Sequence, residues 1–358
     1  MPRRPERTRV VVDARIARRR QTGAAIHVNG LRQAIAAIDP PDLDVRFLDG
    51  PPGLPRRNRL TTVGNLLLDL AWTHAAVPVS ARALRAGAVH APFNWAPWWS
   101  PAPTAVTVHD LAWERVPETF PPAFRRYARL FTRRSVRRAQ RVIAVSDATG
   151  RDLMDLYRVP AAKLRTIPNG VAPDVAQPRP REPFVLAVGE IEPRKRIPDL
   201  IEGHRAYFRG ASADPAPCRL VIAGSGGGDE RRARDLAGPE CAMLGRVDDA
   251  TLTELYRTAS LLVYPSSYEG FGLPVLEAMS HGCPVLIARN SSLPEVGGDA
   301  AHYLDDPTAA GIARALAELL ADRPALAAGG ERSRAQAARF TWAGAAEATL
   351  DVYREIAR

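Results

Sequence analysis

The feature that most constrains this chain is a repeated alternation of short apolar runs with turns or stretches of helical periodicity. The first series has its strand-like runs at residues 10–12, 45–48, 88–90, 105–109 and 141–145. Runs of that length, rich in Val and Ile and separated by helical segments, bury their apolar faces as a parallel sheet with helices on both sides. After the proline-rich stretch PDVAQPRPREP, residues 173–183, a second series runs through 184–188, 220–223, 261–264 and 284–288. At 358 residues the chain exceeds the size at which one core keeps growing, so two α/β domains are expected. Their predicted limits are 1–172 and 184–340, joined by the linker 173–183. A terminal helix over 341–358 has apolar Ala345, Ala346, Leu350, Tyr353 and Ile356 and can pack back on the first domain. Parallel sheets take ligands at the carboxyl ends of their strands, so both domains are expected to turn those loops to a shared crevice.

Composition narrows the function classes. The chain is 46% hydrophobic, and its 26 Gly and 32 Pro are spread without a low-complexity tract, as in a globular protein. The N-terminal apolar run stops at Asp13, too short for a signal-peptide core, so a cytoplasmic location is expected. The apolar stretch 63–79 contains Asn65, Asp69 and His74 and reads as a buried helix, not a membrane span. Cys218, Cys241 and Cys283 have neither disulfide nor zinc spacing. The net charge of +10 is uneven: 29 Lys and Arg against 14 Asp and Glu give +15 over residues 1–180, and 20 against 25 give −5 over 181–358. A basic half suits nucleic acid, an anionic membrane or an anionic acceptor, and charge alone does not choose.

The densest chemical signal is LLVYPSSYEGFGLPVLEAMSHGCPVLI, residues 261–287, which reads strand, loop, short helix, strand. Pro274 stands where a first helical residue belongs and Gly282 ends the helix two turns on. The backbone N–H groups over residues 272–275, Pro274 excepted, are expected to point out of the helix N-terminus as an anion site. Glu269 and Glu277 bracket that site. Carboxylates repel phosphate but accept hydrogen bonds from hydroxyls, so a diphosphate flanked by two polyhydroxylated rings fits both features. Taken singly, Glu269 also fits a solvated loop and Glu277 a helix start stabilised by the dipole.

The string from Glu269 through Gly270, Phe271, Gly272 and Leu273 to Glu277 resembles the E-x7-E motif of retaining glycosyltransferases of family 4. The resemblance extends over nearly the whole chain. It implies the GT-B fold, two Rossmann-like parallel-sheet domains facing across a deep cleft. It also implies transfer of a hexose, of mannose or glucose type, from a GDP- or UDP-sugar to a hydroxyl of a glycan, lipid or small molecule, with no metal and no separate cofactor. In the family's roles, Glu269 contacts the donor sugar, Glu277 the nucleotide ribose, and the amides of Phe271 to Leu273 the sugar and phosphate. A lysine at the position of Lys195 and an arginine soon after the strand grip the diphosphate. Here Glu190 follows Gly189 where that arginine is usual, and Arg194 is its substitute. The segment Pro193-Arg194-Lys195 is similar to that of relatives using GDP-mannose. Gly245, Arg246 and Val247 correspond to a segment bordering the base.

The first half carries weaker signals. His109 and Asp110 end a strand-like run and match the family's TxHD segment, near the transferred sugar and acceptor. Gly23 and Ala24 occupy the place of an acceptor-side glycine-rich loop, without its double glycine. The loop Gly224-Ser-Gly226-Gly-Gly228 imitates a dinucleotide motif but has Asp229 at its last position, and by itself is a turn. Aromatic-rich 93–99 suits either an acceptor pocket or the core. The segment 122–140 is an amphipathic helix with eight Arg between Arg125 and Arg141 and no acid before Asp147; it reads as a surface helix with its apolar stripe in the core or as a contact for an anionic membrane. No nucleic-acid recognition motif is visible. A nucleotide-sugar epimerase and a silent sugar-nucleotide-binding subunit remain as rivals. Asp42 and Asp44, the one obvious DxD, lie far from these motifs.

Overall fold

A computed structural model describes residues 7–18, 22–53, 59–177, 179–211 and 216–357. They form two compact units. The first takes the chain up to Glu114, Pro121–Gly170 and the C-terminal helix Trp342–Ile356; the second takes Arg115–Phe120 and Val171–Phe340.

The first unit holds β1 (Thr8–Asp13), β2 (Leu43–Leu48), β3 (Ala88–Ala91), β4 (Thr104–Val108), β5 (Arg141–Ala144) and β6 (Leu164–Thr166). All pairs are parallel, in the order β2-β1-β3-β4-β5-β6. Strand β1 is buried on both faces, which is why it reads as a continuous apolar run. Val10 and Val12 pack with Leu31, Ile35, Leu350 and Tyr353, while Val11 and Val89 pack with Val77 and Ala81 on the opposite face. The C-terminal helix is therefore part of this unit's core.

The second unit holds β7 (Glu182–Val188), β8 (Arg219–Ala223), β9 (Cys241–Gly245), β10 (Ala259–Tyr264), β11 (Val285–Ala288) and β12 (His302–Leu304), again all parallel, in the order β12-β11-β10-β7-β8-β9. Val185, Ala187, Leu220, Ile222, Leu261 and Val263 pack with helices Ile197–Gly210 and Ala309–Ala321 through Leu200, Ile201, Ile312 and Leu316.

Both orders contain a point where the winding reverses: between β1 and β3 in the first unit, and between β7 and β10 in the second. Loops leaving neighbouring strands diverge there, and the crevice outside their carboxyl ends is where open α/β sheets take ligands.

Two expectations need correction. Nine strand-like runs are visible in the sequence, but each sheet has six strands; the missed β6, β9 and β12 are all edge strands with incomplete burial, and β6 and β12 have only three residues. The stretch 63–79 is helical, with a π-type turn at Trp72–Ala76, but it is buried only in part: Val77 and Pro78 are buried, whereas Leu66, Leu67 and Val79 are exposed.

Candidate functional site

At the second unit's reversal point the loop after β7 meets the loop after β10. Lys195 closes the short helical turn Pro193–Lys195, and Arg196 follows at φ 54°. The Lys195 Nζ donates to Glu269 Oε1 at 2.5 Å and to the Tyr264 hydroxyl at the end of β10, and lies 4.4 Å from the Tyr264 ring centre. Arg194 donates to the same Glu269 oxygen at 2.8 Å and to the Tyr268 carbonyl at 3.1 Å. Arg196 turns away to Asp199. Lys195 and Glu269 are both buried. Burial alone raises the Glu269 pKa, but the Arg194 and Lys195 charges beside it outweigh that and hold it down at about 2. Burial also lowers the Lys195 pKa, with Glu269 opposing.

The backbone of Glu269 is held as firmly as its side chain. Ser291 accepts from the Glu269 N–H at 2.9 Å, and the Ser292 hydroxyl donates to the Glu269 carbonyl at 2.9 Å. The chain then turns through Gly272, at φ 103°, into the helix Leu273–Ser280. A side chain at Gly272 would be strained by that φ, and its Cβ would also lie 2.9 Å from Leu293 Cδ2. The expected free N–H at Val275 is instead spent on the Gly272 carbonyl at 3.0 Å, because the first turn is tight. The N–H groups of Phe271, Gly272 and Leu273 have no acceptor among the described residues and are left for an anion.

Glu277 sits in this helix and accepts from the Tyr256 hydroxyl at 3.1 Å. Burial raises its pKa to about 7, against the lowering effect of that hydrogen bond. The two glutamates thus differ: one fully ionised against two cations, the other poised near neutrality. Gly282 ends the helix in the left-handed region, at φ 69°.

The loop 224–228 is a buttress. Gly226 accepts from the Ile191 N–H, Asp229 donates to the Ile191 carbonyl, and any side chain at Gly224 would overlap the Gly189 carbonyl. It holds up the loop that carries Arg194 and Lys195. Gly245, at φ 70°, ends β9 and accepts from the Gly224 N–H at 2.8 Å; Arg246 is exposed and Val247 half-buried.

At the first unit's reversal point lies a cavity of about 60 Å³ lined by Asp13, Arg15, Asp69, Trp72, Phe93 and Trp95, among others. Asp13 ends β1 and accepts from Trp72 Nε1 at 2.7 Å; burial raises its pKa. Arg15 pairs with Asp69 at 3.2 Å and keeps a buried Nη1 without a partner. Of this cluster the sequence shows only the aromatic run 93–99, which supplies Phe93 and Trp95; its meeting with Asp13, Arg15, Asp69 and Trp72, scattered over some eighty residues, follows no motif.

His109 follows β4 in the same unit. Its ring lies 4.9 Å from that of His27 and 6.0 Å from that of Phe93. Its Nε2 is 2.9 Å from the Pro92 carbonyl, which can only accept, so Nε2 carries the proton and Nδ1 is the free acceptor. Burial lowers its pKa, so the ring is neutral near pH 7. Asp110 accepts from the Ala112 N–H and caps the next turn. Gly23 and Ala24 are not a loop: with Thr22 as cap they begin the helix Gly23–Ile38, and Ala24 is buried. The DxD pair is used structurally, Asp42 with Arg354 and Asp44 with Arg9 and Arg46. Among the described residues no cluster of three His, Cys, Asp or Glu could hold a metal ion, and no helix is long and apolar enough to cross a membrane.

Comparison with known proteins agrees with this architecture. Residues 22–175 match the model of Glycosyltransferase Family 4, and residues 173–336 that of Glycosyl transferases group 1. The O-antigen chain mannosyltransferase B of Escherichia coli is 30% identical over 273 residues, 69% of each chain. A D-inositol 3-phosphate glycosyltransferase of Kineococcus radiotolerans is 33% identical over 258 residues, 61% of this chain and 58% of that one. Among solved structures, the sucrose-phosphate synthase of Thermosynechococcus elongatus superposes with a TM-score of 0.76 at 19% identity, over 98% of this chain and 99% of that one. Anabaena HepE, in complex with UDP and glucose, gives 0.68 at 16% identity, over 98% and 100%. The two family matches, the mannosyltransferase relative and the paired parallel sheets lead to one conclusion: the chain belongs to the group 1 glycosyltransferases of family 4 and is a glycosyltransferase with their two-domain, Rossmann-like GT-B fold.

Proposed function

We propose that this enzyme transfers a hexose, of mannose or glucose type, from a nucleotide diphosphate sugar to a hydroxyl acceptor with retention of the anomeric configuration. The observation that carries the reading is the pairing of Glu269 with Lys195 and Arg194 beside three unpartnered N–H groups, at the reversal point of the second unit. A diphosphate at Phe271, Gly272 and Leu273 offers the two cations a stronger partner than one carboxylate. They swing to it, and Glu269 is released to accept hydrogen bonds from hydroxyls of the donor sugar. Glu277 accepts from the ribose, with Gly245, Arg246 and Val247 beside the base. The mannosyltransferase relatives and the UDP and glucose held by a structural neighbour support this class of donor.

In the reaction the bond between the anomeric carbon and the diphosphate oxygen breaks. The acceptor oxygen bonds to that carbon on the same face, and the acceptor proton passes to the departing diphosphate oxygen. Lys195, Arg194 and the N–H groups stabilise the charge that develops there. No cofactor is required. On the acceptor side, the Asp13, Trp72 and Phe93 cavity offers a carboxylate and aromatic faces, a combination suited to a sugar ring. His109 Nδ1, with Asp110 next to it in sequence and with Gly23 and Ala24 on the helix whose His27 ring touches its own, accepts from a substrate hydroxyl.

The test is a turnover screen of GDP-mannose, UDP-glucose and related donors, with the anomer of the product read by NMR. One donor hydrolysed or transferred by the wild type and not by Lys195→Ala supports the reading. An inverted product refutes retention, and no turnover with any donor refutes the donor class.

A further inference from the structure

Glu277 is one end of a row of side chains that crosses the second unit to the segment 173–183, read from the sequence as a linker. Its Oε2 accepts from the Tyr256 hydroxyl at 3.1 Å, while its Oε1 has no partner among the described residues. Tyr256, on the helix Asp249–Thr258, is 2% exposed, and Glu277 is the partner of its hydroxyl. Burial and the Glu277 charge push the Tyr256 pKa well above the usual value, so its hydroxyl stays a donor. The Tyr256 ring also stacks on that of His281, with centres 5.8 Å and planes 16° apart. His281 follows the helix Leu273–Ser280 four positions after Glu277, a spacing that brings both to the same side.

The far end of the row is Asp174, whose side chain is 4% exposed. The Arg257 guanidinium beside it holds its carboxyl well below the usual carboxylate range, so it is ionised and can only accept. Its Oδ1 accepts from Arg257 Nη2 at 2.6 Å and from the Ala176 N–H at 3.1 Å. Its Oδ2 accepts from Arg257 Nε at 2.9 Å and from His281 Nδ1 at 2.7 Å, so Nδ1 carries a proton. The His281 side chain is not needed to anchor either end of this contact. Arg257 already grips Asp174 through two nitrogens, and the His281 carbonyl accepts from both Arg181 and Arg334 at 3.2 Å. What the bond from His281 to Asp174 adds is orientation: it fixes the ring plane against which Tyr256 lies.

We propose that Asp174 and His281 are positioning residues for the donor's ribose: they hold Tyr256 in place, and Tyr256 holds the Glu277 carboxylate with Oε1 free to accept from the ribose hydroxyls. The inference rests on the ribose role given to Glu277 above. Asp174, His281 and Tyr256 have no hydrogen bond or ion pair to Lys195, Arg194 or Glu269. Loss of the row therefore loosens the grip on the ribose and leaves the grip on the diphosphate as it was. A row that merely stabilised the fold would weaken both together.

The experiment is titration calorimetry of the full-length protein with GDP and UDP and with their 2′,3′-dideoxy forms, which keep the diphosphate and lack the ribose hydroxyls. The wild type is expected to bind one ribonucleotide about tenfold more tightly than its dideoxy form. Tyr256→Phe, His281→Ala and Asp174→Asn should each cut that ratio to about threefold or less, with affinity for the dideoxy form changed by no more than about twofold. His281→Phe keeps a ring against Tyr256 and loses only the bond to Asp174, so its ratio should fall between those of His281→Ala and the wild type. Thr258→Ala removes a hydrogen bond to the Glu254 carbonyl on the same helix without touching the row, and should leave the ratio unchanged. Circular dichroism checks that each variant is folded, and the two Phe variants keep most of the buried volume. An undiminished ratio in His281→Ala and Asp174→Asn, or an equal loss of both nucleotide forms, overturns the proposal. Equal binding of both forms by the wild type, or binding of neither, instead removes the ribose role of Glu277, and the positioning role falls with it.

Discussion

The two units solve one topological problem with different chemistry. Each sheet reverses its winding once and places charged side chains outside the carboxyl ends of the two strands concerned. In the second unit those groups are Lys195, Arg194 and Glu269, next to a helix N-terminus. In the first they are Asp13 and Arg15, with Trp72, Phe93 and Trp95 around a small cavity. One has the cations and free N–H groups that suit a multiply charged anion with hydroxyls attached. The other, with aromatic faces and a buried carboxyl of raised pKa, suits a neutral polyhydroxylated ring. A transferase needs both kinds of site, and the proposed function puts the donor on the second unit and the acceptor on the first.

The sharpest way to break that assignment is Lys195→Ala. It should lower kcat by about 10² to 10³, the usual loss when one fixed donor to a developing anion is removed, and isothermal titration should show donor binding weakened with it. A wild-type rate would remove the leaving-group role. Gly272→Ala comes next: a left-handed φ costs a side chain about 1–3 kcal/mol. Donor KM should rise about tenfold while acceptor KM stays put, and a change in acceptor KM alone would count against the division. Asp13→Asn is the mirror experiment, with acceptor KM up about tenfold and donor affinity unchanged.

The smallest effect separates the two glutamates. Glu277 has a folded pKa of about 7, above its unfolded value, so it favours folding when protonated. Its contribution should be full below about pH 4.5 and be lost as pH rises to about 7, a difference of about 1–3 kcal/mol that Glu277→Gln abolishes. Glu269, held at about 2, has the opposite sign: its stabilisation is present above about pH 4.5 and fades as pH falls toward 2. Chemical denaturation of both Gln variants across pH would show whether the slopes oppose each other. Donor affinity should also rise a few-fold through pH 7 as Glu277 ionises and accepts from the ribose.

Legibility in the sequence follows the same divide. The helix start at Pro274, its stop at Gly282, Glu269 and Glu277 lie within one short segment, so local backbone rules reach them. That Glu269 neutralises Lys195 is not local: it depends on β7 and β10 lying side by side, 74 residues apart in the chain. The Asp13, Trp72 and Phe93 cluster is dispersed in the same way, so the aromatic run 93–99 is legible but its partners Asp13 and Trp72 are not. Short strands such as β6 fell below the length at which periodicity signals. The stretch 63–79 looked buried because it is mostly apolar, and its end at Val77 is, yet Leu66 and Leu67 are exposed. The spent N–H of Val275 depends on the tightness of one turn, which composition does not encode.

The most direct measurement is titration calorimetry of a nucleotide diphosphate sugar against the wild type, Lys195→Ala and Asp13→Asn. The account predicts that the wild type and Asp13→Asn bind the donor alike, whereas Lys195→Ala loses at least an order of magnitude. Donor binding lost in Asp13→Asn and retained in Lys195→Ala would contradict it.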